Sequence, residues 1–474
     1  MKPPSPTREF RGVWVATVGN IDWPSKPGLT TQQQKAELLA IFERAVQLRL
    51  NSIILQVRPG CDAFYSSALE PWSEYLTGQM GRAPSPFYDP LAFAVSEAHQ
   101  RGLELHAWFN PFRAHHNKAR STISPTHISK TRPQWVKAYG PQLWLDPGEE
   151  AVRDYSRQVI LDVVRRYDID GVHLDDYFYP YPEKDVRGTA LSFPDWGSWK
   201  RYTSAGGKRT RADWRRGNVD QFIQGLYESI KAEKPFVKFG VSPFGIWRPG
   251  FPEQIRGFDS FEQLFADSRK WLAKGWLDYF APQLYWNIAP KEQSYPVLLK
   301  WWAGQNLKQR HVWAGDAPGR IGPNRSSVEI VNQIRLTRQQ SGATGNIHWS
   351  MGAFMKNRGG IDDALRSDVY AQPALVPASP WLDSTPPAAP KIWTETMSRD
   401  GARLMWSSTG LEPAWLWLLQ MRVGGNWITE ILSSQQTTRM LKTPQPDVLS
   451  LISVDRCGNA SAATVLELRS PTGR

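Results

Sequence analysis

The chain reads as an α/β protein, a (β/α)8 TIM-type barrel followed by a small all-β sandwich. Three observations predict this. Short apolar β-type runs alternate with amphipathic helical patterns across residues 8–372, and such alternation calls for a parallel sheet. Eight repeats with long loops fit a closed barrel better than an open sheet, and no Gly-x-Gly-x-x-Gly fingerprint follows the first run. Past a Pro-, Ala- and Ser-rich linker at 373–390, residues 391–470 carry short strand patterns separated by turn signals.

The predicted barrel strands are residues 12–18, 52–57, 103–109, 171–175, 238–242, 279–284, 311–314 and 346–350. Helical spacing falls between them at 35–50, 90–101, 149–167, 219–234, 261–274, 295–303 and 327–340. Pro90 after Asp89 starts the second helix and Gly102 stops it. In the third, Val152, Tyr155, Val159, Val163 and Val164 share one face. The sandwich strands are predicted at 403–406, 415–422, 427–431, 437–441, 449–454 and 463–468.

With 474 residues the chain can bury a large core and carry an accessory module. A net charge of +12 implies an acidic partner, but the Lys and Arg residues are scattered and no nucleic-acid-binding signature accompanies them. An anionic glycan fits better than nucleic acid, and the 23 Trp residues suit stacking on sugar rings. Two cysteines, Cys61 and Cys457, in different predicted domains give neither a disulfide framework nor a Cys-based metal site. No cofactor or metal is predicted, and no apolar run reaches the roughly 18 residues that span a bilayer. The start, MKPPSPTREF, has no apolar h-region and reads as a Pro-rich linker rather than a signal peptide. Oligomeric state is not legible.

Residues 170–182, DGVHLDDYFYPYP, carry the strongest chemical signal. A β-type run ends in two carboxylates, Asp175 and Asp176, where barrel enzymes place catalytic groups. Strand parity puts His173 on the inward face with Asp175, and Asp176 turns toward the same cleft as the strand breaks. Adjacent acids resist ionising together, so one pKa should rise, which suits a general acid.

Other strand ends supply few acids. Asp316, Asp22 and Asp62 each sit in a turn-like context, whereas Asn110, Ser242, Gln283 with Tyr285, and Ser350 close the rest. That scarcity favours a substrate supplying its own nucleophile, as the acetamido oxygen of an N-acetyl sugar can. Asp175 would then orient the acetamide, Asp176 donate the proton and Tyr285 bind developing charge, with the two Asp roles exchangeable. Substrate contacts are expected from Asp22, Trp23, Arg58, Asn110, Arg113, His173, Tyr177, Trp247, Gln283, Trp286 and Asp316, all at strand ends or in the loops beyond them. Arg58, Arg113, Arg248 and Arg320 lie just past predicted strands, where Arg can fork onto a sugar carboxylate. The rivals are a two-carboxylate glycosidase pairing Asp175 or Asp176 with Asp316 or Asp22, and a non-catalytic glycan-binding protein.

The chain resembles the bacterial glycosyl-hydrolase-like family 10. The residues that carry the resemblance are REFRGVWVAT at 8–17, NIDWP at 20–24, QVRP at 56–59, HAWFNP at 106–111, DGVHLDDY at 170–177, GVSPFG at 240–245 and APQLYW at 281–286. It implies a barrel glycosidase of the cell envelope, or a secreted one, cutting peptide-free peptidoglycan strands between N-acetylmuramic acid and N-acetylglucosamine. The strand-four motif is also similar to the chitinase pattern Asp-x-x-Asp-x-Asp-x-Glu. Asp170 and Asp175 match its first and third acids, but His173 and Tyr177 replace the second and the final Glu, which leaves Asp176 as the nearer candidate for the acid. The Pro-Pro-Ala-Ala-Pro before the last module and Val454–Asp455–Arg456–Cys457–Gly458–Asn459 within it resemble fibronectin type III modules.

Overall fold

The computed structural model describes residues 3–398 and 401–468. Eight parallel strands close into a barrel: β1 (Phe10–Val15), β2 (Ser52–Arg58), β3 (Glu104–Phe109), β4 (Gly171–Leu174), β5 (Lys238–Val241), β6 (Tyr279–Phe280), β7 (His311–Asp316) and β8 (Gly345–His348). Every residue of these strands is buried, as expected when helices cover the outside and side chains fill the inside.

Strand parity sorts the side chains into two cores. Val13, Val15, Ile53, Leu55 and Leu105 point outward to the helices. Phe10, Trp14, Ile54, Trp108, Tyr279, Trp313 and Ile347 fill the interior. Phe10 and Trp313 stack there with centroids 3.5 Å apart. Glycine makes room for the large rings: a Cβ at Gly240 would lie 2.0 Å from the Tyr279 ring, and one at Gly171 would lie 2.5 Å from His106.

The main outer helices are α1 (Thr31–Gln47), α2 (Pro90–Gln100), α3 (Glu150–Arg166), α4 (Arg211–Glu233), α5 (Ser268–Lys274), α6 (Tyr295–Gln305) and α7 (Ser327–Gln339). Thr30 caps α1 in a reciprocal box with Gln33, and Asp89 caps α2 with Pro90 following.

Four expectations need correction. The helix expected at 261–274 is broken: Ser260–Gln263 stops, Phe265 adopts φ 52°, and α5 starts after Asp267 caps it. The strand expected at 279–284 ends at Phe280, because Pro282 has no N–H for the ladder. The helix expected to begin at 219 begins at Arg211, where the Thr210 side chain accepts from the Asp213 N–H. The loop after β3 holds an unforeseen antiparallel sheet of Arg113–His115, Gln142–Leu145 and Val136–Tyr139.

The C-terminal part forms two antiparallel sheets from β9 (Lys391–Ser398), β10 (Gly401–Ser407), β11 (Leu416–Val423), β12 (Asn426–Ser433), β13 (Thr438–Leu441), β14 (Val448–Val454) and β15 (Thr464–Glu467). Their orders are β9-β10-β13 and β12-β11-β14-β15. Leu404, Trp406, Trp417, Leu419, Leu449 and Leu451 pack between them. Of the predicted range 391–470, residues 399–400 and 469–470 lie outside the described residues.

This module sits against the N-terminal ends of the barrel strands. Arg456 binds both oxygens of Asp168, just before β4, at 2.6 Å each, and stacks on Phe236 and Trp415. The Lys238 ammonium, at the start of β5, donates to the Arg456 carbonyl (3.3 Å). The stretch expected as linker is pinned to the same end, since the Glu9 N–H donates to the Leu375 carbonyl (2.9 Å) and the Trp381 indole to Asp278 (2.9 Å). The module therefore lies at the end of the barrel opposite Asp175 and Asp176.

Candidate active site

At the C-terminal end of β4 the backbone leaves the sheet and Asp175 and Asp176 enter a cleft of about 730 Å³. Trp14, Trp108 and Trp349 wall the cleft together with Tyr177, Tyr181 and Tyr285. Both carboxyls are nearly inaccessible, at 6% and 4% exposure.

Each acid has its own partner. The Asn110 amide, at the end of β3, donates to both oxygens of Asp175 at 2.7 and 2.8 Å. The amide is oriented from behind, because its oxygen accepts from Gln56 (2.7 Å) and Arg113 (3.3 Å). Asp176 instead accepts the Tyr181 hydroxyl, from the loop that follows β4. Burial lifts both pKa values above the ordinary carboxylate range, and the Asp176 charge adds to the rise at Asp175. The Arg113 guanidinium, the Asn110 amide and Tyr181 only partly offset this. One carboxyl of the pair keeps a proton at pH values where an exposed Asp would have lost it.

Beneath the cleft a polar chain threads the barrel. The Trp14 indole N–H donates to His173 Nε2 (3.0 Å), so the proton of this neutral imidazole is on Nδ1, facing the Tyr279 oxygen at 3.0 Å. The Tyr279 hydroxyl then donates to His106 Nδ1 (2.9 Å), and His106 Nε2 to Glu104 (2.9 Å), which Lys238 pairs at 2.8 Å. His173 thus lies one layer below the cleft and fixes Trp14 in its wall.

The structure gathers Asp175, Asp176, Arg113, Tyr177, Gln283 and Tyr285 around the cleft, with Asn110 directly behind. Gln283 is held by the Ser242 carbonyl (2.9 Å) and reaches the Asp176 side chain. The Arg113 guanidinium rests 4.1 Å from the Tyr177 ring.

Other expected contacts lie elsewhere. Trp23 is fully buried under α1 and donates to the Gln34 carbonyl. Asp22 is a fastener, accepting from the Ala16 N–H, the Ser350 hydroxyl and the Gly352 N–H, and so ties the β1 loop to the β8 loop. Arg58 is fully buried on Glu70 (2.7 and 2.5 Å). Asp316 is fully buried between His348 (2.6 Å) and Asn346 (3.2 Å). Trp247 packs on Trp301 and Phe251 and donates to Asp267. Trp286 packs edge-on to Phe244 beside the cleft without lining it. Arg248 faces Asp259 and Glu262.

Sequence reasoning passed over Trp14, Trp108, Trp349, Tyr181, Gln56, His116 and Lys118, which all border the cleft. Trp14, Gln56 and Trp108 occupy the inward parity of β1, β2 and β3, a signal available in the sequence; the rest arrive from loops. Among the described residues, the one grouping with metal-ligand spacing is Asp383, Glu412 and Asp455, within 4.8 Å of one another between the C-terminal module and the barrel. It is remote from the cleft.

The pattern described as glycosyl hydrolase-like 10 matches residues 9–329. "Glycosyl hydrolase YngK" of Bacillus subtilis (strain 168) is 43% identical over 410 residues, covering 83% of this chain and 78% of that protein. "Glycosyl hydrolase DigH" of Escherichia coli (strain K12) is 36% identical over 326 residues, covering 64% and 72%. In fold, the chain is similar to the PgaB (BpsB) glycoside hydrolase domain of Bordetella bronchiseptica, with a TM-score of 0.50, 15% identity, and coverage of 76% of this chain and 98% of that one. The chain belongs to the glycosyl hydrolase-like 10 family and is a glycoside hydrolase.

Proposed function

We propose that this enzyme cuts N-acetylated bacterial cell-wall glycan, namely peptide-free peptidoglycan strands at the bond between N-acetylmuramic acid and N-acetylglucosamine, by substrate-assisted catalysis. One observation carries the reading. Among the described residues that line the cleft, the carboxylates are Asp175 and Asp176, side by side on one strand end. A two-carboxylate glycosidase sets its acids on opposite sides of the scissile bond. Adjacent acids suit a different division of labour.

Asp176, beside Tyr181 and Gln283, gives its proton to the leaving glycosidic oxygen. As the C1–O bond breaks, the substrate's own acetamido oxygen bonds to C1. Asp175, gripped by Asn110, accepts from the acetamide N–H and balances the oxazolinium charge, and the Tyr285 hydroxyl stabilises the same charge. Water then opens the ring and returns a proton to Asp176, with net retention at C1.

The cations support an acidic sugar. Arg113, Arg320 and Lys118 border the cleft; Arg113 faces Asp175 and Asp176, whereas neither Arg320 nor Lys118 has an ion-pair partner among the described residues. A lactyl carboxylate on the substrate would meet that excess of positive charge. Such a substrate implies work in the cell envelope or after secretion. We read the C-terminal module as fibronectin type III-like, on its three-on-four antiparallel sheets, and as a support for the barrel rather than a wall of the cleft.

The test is digestion of purified glycan strands, with and without stem peptides, and mass analysis of the products. Cleavage of peptide-free strands at the expected bond supports the reading. Equal cleavage of strands stripped of their N-acetyl groups would replace it with a two-carboxylate mechanism.

A further inference from the structure

A second groove, of about 920 Å³, lies outside the barrel wall. It is bounded by residues 67–72 after β2, residues 125–135 after β3 and the first turns of α3, and it shares no lining residue with the catalytic cleft. Three half-buried aromatic residues line it: Trp72, Trp135 and Tyr155. Trp135 and Tyr155 sit with ring centroids 5.9 Å apart. Phe87 extends the aromatic surface beyond Trp72 and is 65% exposed.

Tyr155 is seated rather than loose. Its hydroxyl donates to Glu70 (3.0 Å), which is buried and paired to the fully buried Arg58. Arg58 also donates to the Asn110 carbonyl (2.6 Å), and the Asn110 amide holds Asp175. One buried hydrogen-bonded chain therefore runs from the aromatic floor of this groove to the catalytic pair. The Arg58 that sequence reasoning assigned to the substrate in the cleft instead anchors this platform.

The lining chemistry selects among ligands. Formal charge at the surface of the groove comes from Asp154, which faces Arg157 (2.7 Å), and Arg132, which lies over Trp135. This is too little positive charge for a phosphorylated or nucleic-acid ligand. Flat rings with the hydroxyls of Thr126 and Thr131 and the amide of Gln158 at their edges match a pyranose, which has an apolar face and a polar rim.

We propose that this groove is a second glycan-binding site, which holds a stretch of the polymer while the cleft cuts another. The proposal rests on the reading of the substrate as a cell-wall glycan strand.

The probe is purified peptide-free glycan strands, compared with a tetrasaccharide as the short substrate. In an Asp176→Asn background, Trp135→Ala and Ala151→Glu are each tested for co-sedimentation with strands. Ala151 is an exposed helix position at the groove edge, so its substitution leaves the fold intact. Both changes should weaken strand binding about tenfold. In the active enzyme they should raise KM on strands while leaving tetrasaccharide cleavage unchanged. Unaltered strand binding in Ala151→Glu overturns the proposal, even if Trp135→Ala weakens it through lost packing. Whether the unsubstituted enzyme cleaves strands at all is read separately by mass analysis and judges the substrate assignment, while the binding comparison judges the groove.

Discussion

The Asn110 amide nitrogen donates to both oxygens of Asp175, at 2.7 and 2.8 Å, and cannot turn around, because Gln56 and Arg113 occupy its oxygen. The acid on β4 is thus aimed by a residue on the neighbouring strand. Asn110→Ala should lower kcat about a hundredfold with little change in KM, the signature of lost positioning. Asn110→Asp should be worse, since it sets a third carboxylate against the pair. Steady-state kinetics on peptide-free strands checks both, and an unaffected Asn110→Ala enzyme would deny the amide its aiming role.

Asp175→Asn and Asp176→Asn should each cut kcat by about a hundredfold to ten-thousandfold while strand binding persists. Because burial raises both carboxyl pKa values, the activity that depends on a protonated acid survives above the usual Asp range and falls as pH rises through the raised values. A kcat profile already declining between pH 4 and 5 would contradict the burial argument.

The same shift predicts a stability effect. A carboxyl whose folded pKa is raised contributes stability that is full below its unfolded pKa and is lost as pH rises through the folded one. Asn at position 176 keeps an acceptor for Tyr181 but never ionises. Asp176→Asn should therefore be more stable than the parent at pH 8, by about 1–3 kcal/mol, and the advantage should shrink toward pH 4. Thermal melts at the two pH values measure it.

Lys118→Gln and Arg320→Gln, at the exposed lip of the cleft, should each raise KM up to about fivefold on strands with free lactyl carboxylates. On strands whose carboxylates have been amidated the effect should vanish. Equal KM changes on both polymers would mean that these cations do not read the carboxylate.

At the other end of the barrel, Lys238 pairs with Glu104 at 2.8 Å, and both are buried under the C-terminal module. Lys238→Ala strands the Glu104 charge and should destabilise the fold by about 3–5 kcal/mol. Chemical denaturation checks this, and a loss below about 1 kcal/mol would mean that water or His106 compensates.

Much of this architecture was legible in the chain. Alternating apolar runs marked all eight strands, because burial on both faces of a parallel sheet demands them. Their boundaries were less legible where one residue overrode the pattern, as Pro282 did in β6 and Phe265 did between the two short helices. The Asp175–Asp176 pair could be placed at a strand end because strand parity and the break into a loop are local properties.

The sequence by itself thus determined the barrel, the position of the acidic pair and the stock of aromatic and cationic residues near it. Only the tertiary structure decided which of them face the cleft. Arg58 and Arg248 looked equivalent to Arg113 and Arg320 until Glu70, Asp259 and Glu262 came within reach of the first two. Trp14, Trp108 and Trp349 meet because closing the barrel brings β1, β3 and the β8 loop to one axis. A buried charge takes whichever partner the fold delivers, and those partners lie far enough along the chain, or on loops irregular enough, that no local pattern announces them.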